Sequence, residues 1–401
     1  MDFSLEYTKE QAEFAKEVRR WLDENAPKDL VSPWDIRKTS PQEWQKRREF
    51  ARKLGEKGWL YPRFPRQYGG GGLDVAHTFV VNEEIANRNL GPPPHYDSGG
   101  LAAPAILNCA TEEQKKRFLP SMLKGEATTW QLFTEPDAGT DEANQQTSAL
   151  RHVREKDHFV INGGKIFVGS IYGPPTQFLL LTKSDFEAPR HGNLAMFLAP
   201  ANLPGITIQP LDLFPSGIFA QVGSGPGRKN SVFFDDVKIH ESYLIGGDHD
   251  GWKVADATLT VEHGGGERVP RIPRNPVVEK FFAQCQNNPN VIKRLQENPE
   301  LLHSVVDVYI GAQIERLWTL RNSGQPIRGG GPQLSMYGKM YGARLATVMA
   351  SVLGPYAFAD DEWALDDGIF ETGERNAVCF APGGTPEALK IVISRGLGIG
   401  R

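Results

Sequence analysis

Apolar positions along the chain change period twice. At the start Phe14, Val18, Trp21 and Leu22 recur three and four residues apart, which gathers them on one face of an α-helix. "SPQEWQKRREFARKLGEKGW" opens on a serine suited to capping an amphipathic helix, and "TEEQKKRFLPSMLKGE" reads as a shorter helix stopped by glycine. "PRFPRQYGGGGLD" between them is a loop. From about Thr129 to His240 the texture is β: "HFVINGGKIFVG", "QFLLLTKS", "LAMFLAP", "GITIQPL" and "NSVFFDDVKIH" are short Val/Ile/Phe-rich runs separated by Gly, Pro, Asn and Asp. "VINGGKIF" predicts a hairpin with Asn162-Gly163 at its turn. After Gly251 helical spacing returns. "VIKRLQENPELLHSVVDVYIGAQIERLWTLRN" and "LSMYGKMYGARLATVMASVL" have the length expected of bundle helices, whereas "RVPRIPRNPVV" cannot be a helix interior because Pro270, Pro273 and Pro276 lack amide donors. The order predicts an α+β protein with a helical domain over 1–128, a β-domain over 129–240 and a helical bundle over 241–401.

Composition narrows the function. A chain of 401 residues exceeds one compact core and suggests two or three domains. A formal charge of −4 leaves no basic footprint for nucleic acid or anionic membrane. Cys109, Cys285 and Cys379 are far apart and form no CxxC pair, which speaks against a disulfide framework or a zinc knuckle and for a reducing compartment. No run approaches the ~20 apolar residues of a membrane span. "MDFSLEYTKEQAEF" has early acids and no apolar segment of a signal peptide, so a cytoplasmic protein is expected. HExxH, CxxC, GxSxG, GxxxxGK[ST] and a strand-linked GxGxxG are all missing from the sequence, which removes support for zinc hydrolase, serine hydrolase and P-loop chemistry; no metal is expected.

Three stretches could carry chemistry. In "TLTVEHGGGERV" a single carboxylate, Glu262, stands before three glycines. If "GWKVADATLTVEH" is a helix, Leu259, Thr258 and Ala255 share its face and none is charged. A carboxylate drawn against that surface would be desolvated and so become a stronger base; equally, Glu262 could be an exposed residue at a helix end. In "WQLFTEPDAGTD" an apolar run ends in Thr134-Glu135-Pro136 and a Gly turn, which either presents backbone amides to a ligand or is simply a turn. In "APGGTPEALKIVISRGLGIGR" Thr385 is placed to cap a helix with Pro386 at its first position, a start that either binds an anion or only caps.

Together these stretches resemble the acyl-CoA dehydrogenase family. "FTEPDAGTD" resembles its strand-and-turn motif beside the flavin, "INGGKIFVGSIY" its NG-hairpin ending in an aromatic next to the isoalloxazine, "GDHDGWKVADATLTVEHGGG" the entry to its first bundle helix, and "PGGTPEALKIVISRGLGIGR" its closing helix. The resemblance covers nearly the whole chain. It implies a helical domain, a β-domain and a C-terminal four-helix bundle, with FAD between the last two and four subunits in a homo- or heterotetramer. The implied reaction is α,β-dehydrogenation of an acyl-CoA, with an electron-transferring flavoprotein as reoxidant. Many members carry the base just before the Gly-Thr of the closing helix; that position here is Gly383, which cannot accept a proton. Others carry it in a Leu-x-x-Glu-Arg context on the first bundle helix, and Leu259-Thr260-Val261-Glu262-His263 matches that context except for its histidine. The resemblance therefore makes Glu262 the base. It places Gln131, Phe133 and Thr134 against the flavin ring, and Gly139 and Thr140 near the flavin and the thioester. Phe167 takes the position of an aromatic packed on the isoalloxazine, and Gly169 takes one that is often Ser or Thr. Gly384 and Thr385 would lie near the cofactor at the closing helix. The Arg-x-x-Phe-Gly segment that clamps the pyrophosphate is not evident in "RVPRIPRNPVVEKFF". Two other readings on this scaffold are a non-catalytic partner subunit and a flavin monooxygenase or oxidase.

Overall fold

Helix starts are set by short polar side chains that satisfy otherwise unpaired amides. The computed structural model describes residues 7–30, 40–88, 99–169, 175–212, 228–262, 275–324, 330–377 and 384–399. Helix α1 (Lys9–Asn25) begins with a reciprocal cap: the Thr8 hydroxyl accepts from the Gln11 amide at 3.2 Å, and the Gln11 side chain accepts from the Thr8 amide at 2.9 Å. Ser40 caps α2 (Pro41–Glu56), Asp74 caps α3 (Val75–Ala86), α4 spans Gly99–Cys109, and Thr111 opens α5 (Glu112–Leu123) with a second reciprocal cap. Ala15, Val18 and Leu22 of α1 are fully buried beside Phe50, Ala51 and Leu54 of α2, the face that the three- and four-residue spacing predicts. The loop expected at 62–74 carries a single short turn of 3₁₀ helix, Arg66–Tyr68.

The β region forms one mixed sheet from β1 (Thr129–Leu132), β2 (Ser148–Arg151), β3 (His158–Val168), β4 (Gln177–Lys183), β5 (Leu194–Pro200), β6 (Ile206–Asp212), β7 (Arg228–His240) and β8 (Leu244–Ile245). Its order is β6-β7-β3-β2-β4-β5-β8, with β1 added parallel to β4. Alternation sorts the strands between two cores. Leu179 and Leu181 of β4 and Leu194, Met196 and Leu198 of β5 face the helices, whereas Phe178, Leu180, Ala195 and Phe197 face the opposite side with Phe159, Ile161 and Val237. Strands covered on both faces read as unbroken apolar runs, which is why "QFLLLTK" shows no alternation.

The hairpin predicted at Asn162-Gly163 is not formed. Strand β3 runs straight through these residues, pairing with β2 on one side and β7 on the other. Gly163 has φ +139 and lies where a β-carbon would stand 2.6 Å from Thr147 Cα, and the register against β7 shifts between Ile161 and Gly163. The Asn-Gly pair thus marks a bulge that lets one long strand stay paired on both edges.

Helix α6 (Gly251–Glu262) follows, packed on α4 and β5, and with it the first compact unit ends; that unit holds the described residues from Tyr7 to Glu262. The second unit holds those from Asn275 onward: α7 (Pro276–Asn287), α8 (Pro289–Glu297), α9 (Pro299–Gly324), α10 (Gly330–Leu353), α11 (Ile369–Ala377) and α12 (Pro386–Gly396). Phe281, Val308, Met349 and Phe370 are the centre of its core. Pro276 opens α7, and the apolar run from Val291 to Asn322, read as one segment, divides at Pro299 into α8 and α9. Pro270, Pro273, His263, Cys379 and Gly383 lie outside the described residues. Among those described, no helix is long and apolar enough to cross a membrane.

Candidate functional site

Strand β1 has two unlike faces. Trp130 and Leu132 turn into the core shared with Phe159 and Phe178, while Phe133 turns into the core shared with Val254 and Ala255 of α6. Gln131 has the parity of Phe133. Its Nε2 donates to Oε2 of Glu262 at 3.0 Å. Thr258 and Ala255 are fully buried and Leu259 packs at the margin of the same core, so the face of α6 expected to carry Glu262 is the one turned inward. Glu262 itself is half-buried at the last turn.

A second carboxylate reaches the same place from the loop after β1. Ala143 is buried in the helix-side core, and Glu142 beside it is half-buried with Oε2 shielded from solvent and without a hydrogen-bond partner. Burial pushes the Glu142 carboxyl up to about 7; the charge of Glu262 adds to this and that of Lys165 opposes it. Gln131 Oε1 is likewise shielded and without a partner.

Beneath them a buried ion pair fixes the loop. Lys165 Nζ lies 2.8 Å from Glu135 Oε1 and 3.2 Å from the Phe133 carbonyl, and it also donates to the Gln145 side-chain oxygen. Glu135 accepts in addition from the Gln146 and Thr147 amides at 2.6 and 3.0 Å. Burial alone would raise Glu135, but the Lys165 charge and these amides outweigh it and hold the carboxyl below its ordinary value. Lys165 is only 1% exposed, and burial lowers its ammonium despite the opposing pull of Glu135. Gln145 closes the network, donating to the carbonyls of Phe133 and Glu142 at 3.0 and 2.8 Å.

The end of β3 comes to the same strand. The Ile166 amide donates to the Thr134 carbonyl at 3.0 Å, which sets Thr134 beside the Ile166-Phe167 step. Phe167 has φ +60 and is 50% exposed, so the backbone is held in a costly conformation that leaves a large ring uncovered. Gly169 has φ +68, and a β-carbon there would stand 2.2 Å from the Trp130 ring. The indole thus fills the space that a side chain at 169 would need. Trp130 Nε1 is buried without a partner. An uncovered ring and the Thr134 side chain beside it are features that a flat aromatic ligand with polar edges can use.

The structure therefore brings Gln131, Phe133, Thr134, Phe167, Gly169 and Glu262 into one region of the first unit. Gly139 and Thr140 are exposed on the following loop, pinned at its base by the Glu135–Ala138 bridge, with open space around the Gly139 α-carbon. Gly384, at φ +87, and Thr385 belong to the second unit, where the Thr385 hydroxyl accepts from the Ala388 amide at 3.2 Å and caps α12. Sequence reasoning missed Lys165, Glu135, Gln145 and Glu142. A lysine inside the apolar run "INGGKIFV" was a usable signal of a buried partner, but nothing in "TDEANQQT" separates Glu142 from its polar neighbours.

Comparison with known proteins identifies the family. Residues 8–126 match the acyl-CoA dehydrogenase N-terminal domain and residues 131–216 the acyl-CoA dehydrogenase middle domain. The acyl-CoA dehydrogenase IpdE1 of Mycolicibacterium smegmatis is 30% identical over 322 residues, 78% of either chain. A short-chain-specific acyl-CoA dehydrogenase of Clostridium acetobutylicum is 31% identical over 261 residues, 65% of this chain and 62% of that one. Among solved structures, the ChsE4-ChsE5 complex from Mycobacterium tuberculosis superposes with a TM-score of 0.75 at 22% identity, covering 99% of this chain and 100% of that one. A glutaryl-coenzyme A dehydrogenase in complex with glutaryl-CoA gives 0.71 at 20% identity, covering 100% and 98%. With both domains matched in order and a relative 30% identical across 78% of its length, the chain belongs to the acyl-CoA dehydrogenase family and is an oxidoreductase of that kind.

Proposed function

We propose that the chain carries out FAD-dependent α,β-dehydrogenation of an acyl-CoA thioester, with Glu262 as the base. The observation that carries this reading is the hydrogen bond from Gln131 to Glu262, which ties the last turn of α6 to the strand of the "FTEPDAGTD" motif. FAD, when bound, supplies the acceptor for the substrate's β-hydrogen as hydride. Phe167 and Thr134 offer it a ring face and polar contacts, and Gly139 and Thr140 lie on the open loop beside them. Glu262 takes the α-proton on the oxygen that Gln131 does not hold, and the apolar face of α6 keeps bulk water from competing. An electron-transferring flavoprotein accepts the electrons. Assembly into a homo- or heterotetramer gives a use to Leu302, Val306, Tyr309, Ile310, Ile314 and Leu317, each at least 38% exposed on one side of α9.

Glu262→Gln keeps the shape and removes the base. The variant should retain bound flavin while anaerobic bleaching by acyl-CoA falls by about 10³-fold or more, since the proton then has no acceptor. Undiminished bleaching removes Glu262 from the chemistry. A second reading, a partner subunit that completes a heteromer, is favoured by the indole that takes the place of a hydroxyl-bearing side chain at 169. The visible spectrum separates the two: a yellow purified chain supports the enzyme, and one that colours only with a second chain supports the partner.

A further inference from the structure

Two shielded oxygens in the site lack partners, Gln131 Oε1 and Glu142 Oε2. A buried acceptor left without a donor costs about 1–3 kcal/mol, so two in one cluster call for a donor. The charged groups acting on Glu142 are Glu262 from α6 and Lys165 from β3. Lys165 directs its hydrogen bonds to Glu135, Gln145 and the Phe133 carbonyl. Gln131 has already spent an amide hydrogen on Glu262. Among the described side chains acting on this cluster, the one that can supply a proton without breaking an existing bond is Glu142 itself, because a carboxylic acid is a donor whereas a carboxylate is not.

We propose that Gln131 bridges two carboxyl groups, donating to the ionised Glu262 and accepting from a protonated Glu142, so that one carboxyl of the pair holds the charge and the other a proton. This rests on the reading of Glu262 as base. It makes Gln131 and Glu142 positioning residues: neither touches the reacting carbon, and together they fix which carboxyl is charged and how it is turned. Two neighbouring carboxylates do not ionise together without strong mutual repulsion, and an amide, with a donor on one end and an acceptor on the other, distinguishes the two states. The site holds its charge on α6 and leaves the loop carboxyl neutral. When Glu142 ionises, the amide oxygen faces a second negative charge, the bridge opens, and Glu262 loses its orientation while that charge opposes the carbanion character developing at the α-carbon.

The test is infrared difference spectroscopy on the purified full chain between about pH 6 and about pH 8, which spans the Glu142 ionisation. The wild type should show a carboxylic-acid C=O band that disappears on going to the higher pH, and Glu142→Gln should lack it. Glu374 is also pushed up to about 7 by burial and contributes alike to both proteins, so the comparison between them isolates Glu142. In activity, kcat/KM of the wild type should fall through the same range, and Glu142→Gln should lose that limb. Gln131→Met should lower kcat about tenfold or more with flavin retained. Identical infrared and pH profiles in wild type and Glu142→Gln overturn the bridge. Full bleaching in Glu262→Gln would instead overturn the base assignment while leaving the infrared result standing, so the two failures are distinguishable.

Discussion

At Gly169 a single hydrogen is all that fits: the φ is +68 and the Trp130 ring fills the space where a side chain would begin. Gly169→Ala should therefore destabilise the fold by about 2 kcal/mol or more, combining backbone strain with a clash, as read from denaturant midpoints. Trp130→Leu in the same chain should relieve part of that loss, a coupling that additive effects would not give. The glycine at 169 was legible in the sequence but not its reason, because the indole responsible comes from a strand 39 positions earlier. The inward turn of the Glu262 helix face was legible for the opposite reason: Leu259, Thr258 and Ala255 lie within seven positions of it, so helical spacing alone put them on that face. Glu142 was not, since its partners come from α6 and β3.

Elements with local signals were read well, and those defined by distant pairing were not. Ser40 and Thr385 each cap the helix expected of them, because a cap and its amide are three residues apart. Asn162-Gly163 misled because a turn and a bulge ask for the same backbone freedom; what separates them is whether another strand waits alongside, and here both β2 and β7 do. At this scale the buried Lys165–Glu135 pair is the tie between β3 and the loop after β1. Lys165→Met should cost about 3–5 kcal/mol by leaving Glu135 charged and unpaired in the interior. The added change Glu135→Gln should recover part of it, since it removes the buried charge while its one oxygen still accepts from one of the two backbone amides, Gln146 or Thr147, that Glu135 holds. Thermal unfolding of the single and double variants checks both; equal losses would show that the charge of Glu135 is not what matters.

For the molecule as a whole, the shifted carboxyls set how stability follows pH. Glu142, raised from 4.5 to about 7, keeps a proton in the folded state that the unfolded chain has already released across that interval. Its contribution is therefore fully present below 4.5, declines as pH rises to about 7, and is flat beyond, with a total change of about 3 kcal/mol. Glu374 acts with the same sign. Glu135, held low, works the other way: its stabilisation is present above the ordinary carboxyl value and lost as pH falls through its lowered one. Denaturation should show wild type losing stability relative to Glu142→Gln by up to about 3 kcal/mol from about pH 4.5 to about pH 7; a constant difference would contradict the shift. The proposed assembly through exposed α9 gives a second prediction, that Ile310→Glu reduces the mass seen by light scattering while the subunit stays folded; an unchanged mass would remove α9 from any interface.

Strand β1 is four residues long, and its parity has a consequence beyond packing. Pairing Gln131 with Leu179 puts an amide toward α6 and an indole into the apolar interior on the other side. Sliding the strand by one residue would exchange them, offering the acid–base groups a greasy ring and burying an amide among phenylalanines. Such a slip would leave most of the sheet's ladder intact, so a chain could be folded, soluble in appearance and inert; alignment of one short strand is as much a condition for turnover as any ionisable group.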